Sequence, residues 1–229
     1  MFNTLKISLY SIVVGFPLPI ILAIISNQLR VGKFRKIFQV TTYLPHFIST
    51  MVMCGMIILF LSPTSGLLAN VFKSVGITIP DFLSKPSHFA GVYVWSDVWQ
   101  HIGWDSIIYL AALSAIDPTY YEAATMDGAS RLQKIRHIEL PLLLPTAMIL
   151  LILRAGSLLS VGFEKVLLLQ NPLNLAGSEI ISTYVYKVGM VNFQYSYSTA
   201  IGLFNTVVNL IILLSVNWFS KRYTRTGLF

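Results

Sequence analysis

EAATMDGASRLQKIRHIELP, from Glu122 to Pro141, is the longest charged stretch in a chain that otherwise reads as hydrocarbon. Just ahead of it, Asp117 followed by Pro118 is a helix-start signal. The aspartate caps the first free amides, and proline at the first helical position loses no needed donor. The helix then runs through TYYEAATMD and meets Gly128, a natural terminator. Ser130 caps a second short helix, RLQKIRHI, which is expected to end before Pro141. Both parts are too polar to cross a bilayer and, at ~1.5 Å per residue, too short. The stretch is therefore a helix, turn, helix unit beside a membrane, and its surroundings decide on which side.

Of the 229 residues, 55% are hydrophobic and 11% charged, where a soluble domain carries about 25% charged residues. A mean hydropathy of +0.71 agrees, and the chain is read as an all-α, polytopic membrane protein. The formal net charge of +7 does not point to nucleic acid, because the basic residues sort by topology. The single cysteine, Cys54, lies in an apolar run, which excludes a disulfide within the chain and zinc-type ligand spacing.

Five segments approach the roughly 20 apolar residues a span needs. They fall at about Ile7–Leu29, Tyr43–Leu61, Ala90–Ile116, Leu142–Gly162 and Thr199–Phe219. The third contains Asp97 and Asp105, and the fourth is interrupted by Arg154. If the five alternate, Arg30, Lys33, Arg35, Lys36, Arg131, Lys134, Arg136, Lys221, Arg222 and Arg225 share one side. These are ten of the sixteen basic residues, and the positive-inside rule makes that side cytoplasmic. Lys6, Lys73, Lys85, Lys165 and Lys187 are left for the other. The N-terminus then lies outside, although MFNTLKISLY lacks the features of a secretory signal. The sequence thus predicts a further, sixth span upstream, the alternative being a five-span chain with an external N-terminus.

Within the cytoplasmic unit, Ala123, Ala124 and Gly128 let another protein surface approach the backbone, and Glu122 offers a charge. Glu122-Ala123-Ala124, three residues, Gly128, nine residues, then Ile138-Glu139-Leu140-Pro141 fills every fixed position of E-A-A-x3-G-x9-I-x-L-P. This pattern resembles the EAA motif of ABC importer permeases. The resemblance extends over the whole chain, through NTLKISLY, YLPHFISTMV, GWDSIIYLAALSAIDPTYYEAA and STYVYKVG. It is nearest to maltose-type carbohydrate importers, and within them to permeases serving complex oligosaccharides in Gram-positive bacteria. It implies a single type I importer permease domain in a bacterial cytoplasmic membrane, with coupling helices at about 117–139. It further implies a second homologous permease, two cytoplasmic ATPase subunits and an extracytoplasmic solute-binding protein received by the outer loops, about Ser62–Phe89 and Glu164–Ser198. Glu122, Ala123, Ala124 and Gly128 would dock on the ATPase; Ile138, Leu140 and Pro141 would form the junction to the fourth span. The chain has no G-x-x-x-x-G-K-[ST] loop, so ATP and magnesium belong to the partner ATPase.

Charges within a bilayer cost about 2.5–3.5 kcal/mol on insertion scales, so each asks for a reason. Asp97, His101 and Asp105, spaced i, i+4, i+8, lie along one helix face, with Gln100 and Trp104 beside it. A water-filled pathway would satisfy them, with acceptors for sugar hydroxyls and aromatic faces for sugar rings; Asp97 and His101 pairing with each other would do so too. Trp95 and Trp99 suit either a sugar or the interfacial belt. The resemblance adds Ser160, Gly162, Phe163 and Glu164 to the pathway. Arg154 reads as a buried counter-ion for an acidic group of the bundle, with Asp105 as the candidate, the alternative being a direct contact to substrate. Asn205 and Asn209 read as hydrogen-bonding between helices, and His137 as solvated. No catalytic constellation is present. The competing reading, an ion-coupled secondary transporter, would use Asp97, His101 and Asp105 as a relay.

Overall fold

The computed structural model describes residues 1–30, 32–63, 66–74, 81–224 and 227; Arg225 and the outer-loop Pro80 lie outside them. Among the described residues every regular element is helical. Helices α1 (Phe2–Gly15) and α2 (Pro17–Gln28) run end to end as one apolar rod of 27 residues. Pro17 removes a donor, yet Phe16 keeps helical angles and donates to Ile12 O, so the rod survives the junction.

The second expected span is not a straight helix. Helix α3 (Lys33–Tyr43), a 3-10 turn (Leu44–Phe47) and α4 (Thr50–Leu61) form a pair bent by 97°. Pro45 cannot donate, Ile48 and Ser49 are extended, and the Ser49 hydroxyl caps a new helix at Val52 N. At 1.5 Å per residue α4 is about 18 Å long and does not cross alone.

After α5 (Leu67–Ser74), α6 (Pro86–Ser114) runs for 29 residues through the middle of the bundle, against α1, α2 and α3. It approaches α3 at Gly103, where a Cβ would lie 2.0 Å from Thr42 O. Helix α7 (Pro118–Met126) and the one-turn α8 (Arg131–Lys134) form the polar unit. The second part of that unit does not stop before Pro141. It passes through a π turn (Ile135–Glu139) into α9 (Leu140–Gly156), one continuous rod. Pro141 has no N–H to give and would crowd a regular turn. In the widened turn, Leu140 N reaches five residues back to Ile135 O, which lets the helix continue. The fourth expected span also ends early, at Gly156, and the chain to Gly162 is irregular.

The outer segment folds as α10 (Phe163–Leu169), α11 (Leu175–Ser178), α12 (Ile181–Tyr186) and a second π turn (Lys187–Val191) before α13 (Tyr195–Thr224). Phe2–Gln28, Arg131–Gly156 and Tyr195–Arg222 are long and apolar enough to cross a membrane, and the bent pair adds a fourth if taken as one span. Helix α6 is longer than a crossing requires, but its polar stripe keeps it out of that set. Its two ends are embedded in separate apolar clusters. One gathers Ile7, Met53, Ile57, Phe89, Tyr93, Val94, Val166 and Leu169; the other gathers Ala23, Tyr109, Leu113, Leu143 and Ala147. Between them lies a charged layer.

Candidate functional site

Asp97, His101 and Asp105 occupy successive turns of α6 and share a small gap with Ser11, Gly15 and Arg154. Cavities of about 190 Å³ and 260 Å³ open beside it, and Arg154 lines both. Its guanidinium, through Nη2, donates to Asp105 Oδ2, the partner expected from sequence. Asp97 pairs with His101, whose Nδ1 lies 3.4 Å from Oδ1, and also with Lys165 Nζ at 3.3 Å. The second contact turns Lys165, left for the outer side by the sequence, into the bundle. Its side chain is only 5% exposed, and its ammonium lies 5.2 Å from the centre of the Tyr93 ring. Both carboxylates of the layer therefore have a cation from another element, which offsets the desolvation a membrane interior imposes. In sequence Lys165 carries no signal beyond a charge beside Glu164 before a short apolar run.

Ser160 and Gly162 line the 190 Å³ cavity with Asp97 and Ser8, and the Gly162 amide donates to Tyr93 OH. Phe163 instead packs on Tyr186, and Glu164 is exposed in the first turn of α10. Gln100 and Trp104 face the α3–α4 bend. Gln100 is buried and donates to the free carbonyl of Ile48 at 2.8 Å, while Trp104 stacks on His46 with ring planes 2° apart. Asp97 thus lines both the gap that holds His101 and Asp105 and the cavity of Ser160 and Gly162, while the other four candidates turn elsewhere. Asn209 bridges α13 to the irregular segment, accepting from Leu159 N and donating to Ser160 Oγ.

The polar unit is built by its caps. Asp117 accepts from the Thr119 hydroxyl and, at 2.9 Å, from the Thr119 amide, and the two bonds, the hydroxyl's foremost, hold its carboxyl below the usual range. Gly128 has φ +72°, and the bonds Gly128 N to Thr125 O and Ala129 N to Ala124 O close a Schellman turn. Ser130 and Gln133 form a capping box, and Lys134 Nζ reaches back to Thr125 Oγ1 at 2.7 Å. His137 is exposed, as expected. Glu122, Ala123 and Gly128 are exposed, and Ala124 is half-buried. Met126 and Leu132, not singled out in the sequence, stand out at 88% and 74% exposure. Small and apolar groups on a hairpin outside the core form a surface suited to another protein. Ile138 lies in the π turn, and Leu140 and Pro141 begin α9.

Glu139, a variable position of the motif, is fully buried beneath this unit. Its Oε1 accepts from Gln28 Nε2 at 2.8 Å, Asn27 Nδ2 at 3.2 Å and Tyr121 OH at 3.4 Å. No periodicity or spacing distinguishes it from a solvated charge.

The family described as "Binding-protein-dependent transport system inner membrane component" matches residues 15–225. Protein LplB of Bacillus subtilis is 38% identical over 227 residues, covering 99% of this chain and 71% of that protein. The polygalacturonan/rhamnogalacturonan transport system permease protein YteP of the same organism is 39% identical with the same coverage. A chain of a bacterial alginate ABC transporter, crystallised with its alginate pentasaccharide-bound periplasmic protein, superposes with TM-score 0.96 at 42% identity. That match covers 100% of this chain and 79% of the other. A chain of an amino acid ABC transporter shares the fold at TM-score 0.59 and 15% identity.

Proposed function

Because the chain belongs to the family of binding-protein-dependent transport system inner membrane components, we propose that it is the transmembrane subunit of an ATP-driven importer that moves an oligosaccharide by alternating access. The observation that carries this reading is the complete motif from Glu122 to Pro141, folded as a capped, exposed hairpin and joined without a break to α9. Five crossings are assigned: α1–α2, the bent α3–α4 pair, α6, α9 and α13. Glu122, Ala123, Ala124 and Gly128, with Met126 and Leu132 beside them, dock on one of two cytoplasmic ATPase subunits. ATP and magnesium act on those subunits.

ATP-driven closure of the ATPase pair moves the hairpin, and the rigid continuation through Ile138, Leu140 and Pro141 carries that movement into α9. Arg154 sits on α9 against Asp105 of α6, so relative motion of the two helices reshapes the cavity that Asp97, Ser160 and Gly162 line and the gap beside His101. A second permease subunit completes the pathway, and a binding protein delivers the sugar to the outer face. The relatives that transport polygalacturonan, rhamnogalacturonan or alginate support an oligosaccharide as cargo. Reconstitution with the ATPase, partner permease and binding protein in sealed vesicles tests this. Uptake should require internal-face ATP, survive collapse of ion gradients and be lost in Glu122→Lys. Uptake driven by an ion gradient without ATP would favour the secondary-transporter reading instead.

A further inference from the structure

We infer that Glu139 is a positioning residue that ties the docking hairpin to the cytoplasmic end of α2, so that hairpin movement reaches α6 through α2 as well as through α9. This rests on the importer reading above. Helix α7 buries none of its own residues, so apolar packing does not fix it to the bundle. Its described link to α2 is Tyr121, whose hydroxyl donates to the same Glu139 oxygen that takes the amides of Asn27 and Gln28. Asn27 and Gln28 are the last two residues of α2. The route onward is a packed one. Ser26 accepts from Gln39 of α3, Phe16 sets its edge on Tyr109 of α6 with centroids 6.5 Å apart, and Ala23 shares a cluster with Tyr109 and Leu113. Tyr109 stands one turn beyond Asp105.

Two details argue against a purely structural glutamate. A buried carboxylate costs more than an apolar side chain of similar size, so stability alone does not call for one. Its bonding is also lopsided: three donors meet at Oε1, while the buried Oε2 has no partner among the described residues. A carboxylate with one loaded and one empty oxygen can pass a donor from the first to the second by a small rotation. That gives the hub two arrangements without breaking the connection. It also lies on a π turn, a helix defect frequent at functional sites.

The test uses the assembled transporter in sealed vesicles with its binding protein, and alginate pentasaccharide or a galacturonate oligomer as probe, whichever the wild type imports. The readouts are ATP hydrolysed per sugar imported, the KM for ATP and thermal stability. Glu139→Gln keeps one acceptor for the three donors but replaces the second oxygen with an NH2 donor, so its ratio should lie between those of the wild type and Glu139→Leu. Glu139→Leu should raise the ratio by about fivefold or more, with the KM for ATP unchanged. Tyr121→Phe, which frees α7 but leaves α2 bonded, should raise it in the same direction, and the double variant should be no worse than Glu139→Leu alone. An unchanged ratio in an assembled Glu139→Leu overturns the assignment; if that variant does not assemble, an unchanged ratio in Tyr121→Phe does so. Absence of ATP-dependent uptake in the wild type overturns the importer reading and this assignment with it.

Discussion

Arg154 of α9 hydrogen-bonds Asp105 of α6 across 49 residues of chain, and the pair closes the boundary between two cavities. The side chains are 39% and 29% exposed, so the pair is neither solvated nor sealed. Removing one partner strands a charge inside the bundle. Arg154→Met and Asp105→Leu should each lower stability by ~1–3 kcal/mol, and the double variant should recover much of the loss. Thermal unfolding of the purified protein reports this; simple additivity of the two losses would show that the pair does not act as a unit.

Gly103 brings α6 onto the α3 backbone. An added Cβ would meet Thr42 O at 2.0 Å and Thr42 C at 2.4 Å, neither of which can swing away. Gly103→Ala should therefore push the helices apart at a cost of ~1–3 kcal/mol. Gly91→Ala is the control, because it lies on the same helix with open space at its Cβ. A melting temperature shared by the two variants would contradict the close approach.

The sequence made the polar unit legible because its information is local: Asp117, Gly128 and Ser130 each act on amides within a few residues. The helical, apolar character of the chain was legible in its composition and long uncharged runs. The bend at Leu44–Phe47 was not, since an uncharged run gives hydropathy no boundary even where Pro45 ends a helix. Pro141 misled in the other direction, because proline stops a regular helix but is accommodated beside a π turn. The Arg154–Asp105 pair could be proposed because both charges stand alone in apolar runs. Lys165 and Glu139 could not be, because their partners lie 68 residues away and at 18 to 112 residues respectively.

Tyr121 carries a pH prediction for the hairpin. Burial and the adjacent Glu139 carboxylate both oppose its phenolate and push its pKa from 10.0 up to about 12. The folded protein holds this proton more tightly than the unfolded chain. The resulting stability is therefore fully present below pH ~10 and lost as pH rises through about 12. Tyrosinate absorbance titration should show one fewer late-ionising group in Tyr121→Phe than in the wild type. Loss instead of a group that ionises near the ordinary 10.0 would place Tyr121 in open solvent.

Gly128 separates turn geometry from folding. Its φ of +72° lies in the left-handed region, yet among the described residues nothing lies within 4 Å of an added Cβ. A substitution there meets backbone strain and no clash. Gly128→Val, with a β-branched side chain, should strain the turn by ~1–2 kcal/mol, whereas asparagine visits this region readily. The strain falls on the turn that sets α7 against α8, where Lys134 meets Thr125, and the bundle core is far from it. Gly128→Val should therefore insert and melt close to wild type while ATP-dependent uptake falls and the ATPase co-purifies less. Gly128→Asn should retain most uptake. Full uptake in Gly128→Val would mean that the hairpin's angle does not matter to the ATPase, and the docking surface would then have to be sought elsewhere on the cytoplasmic face.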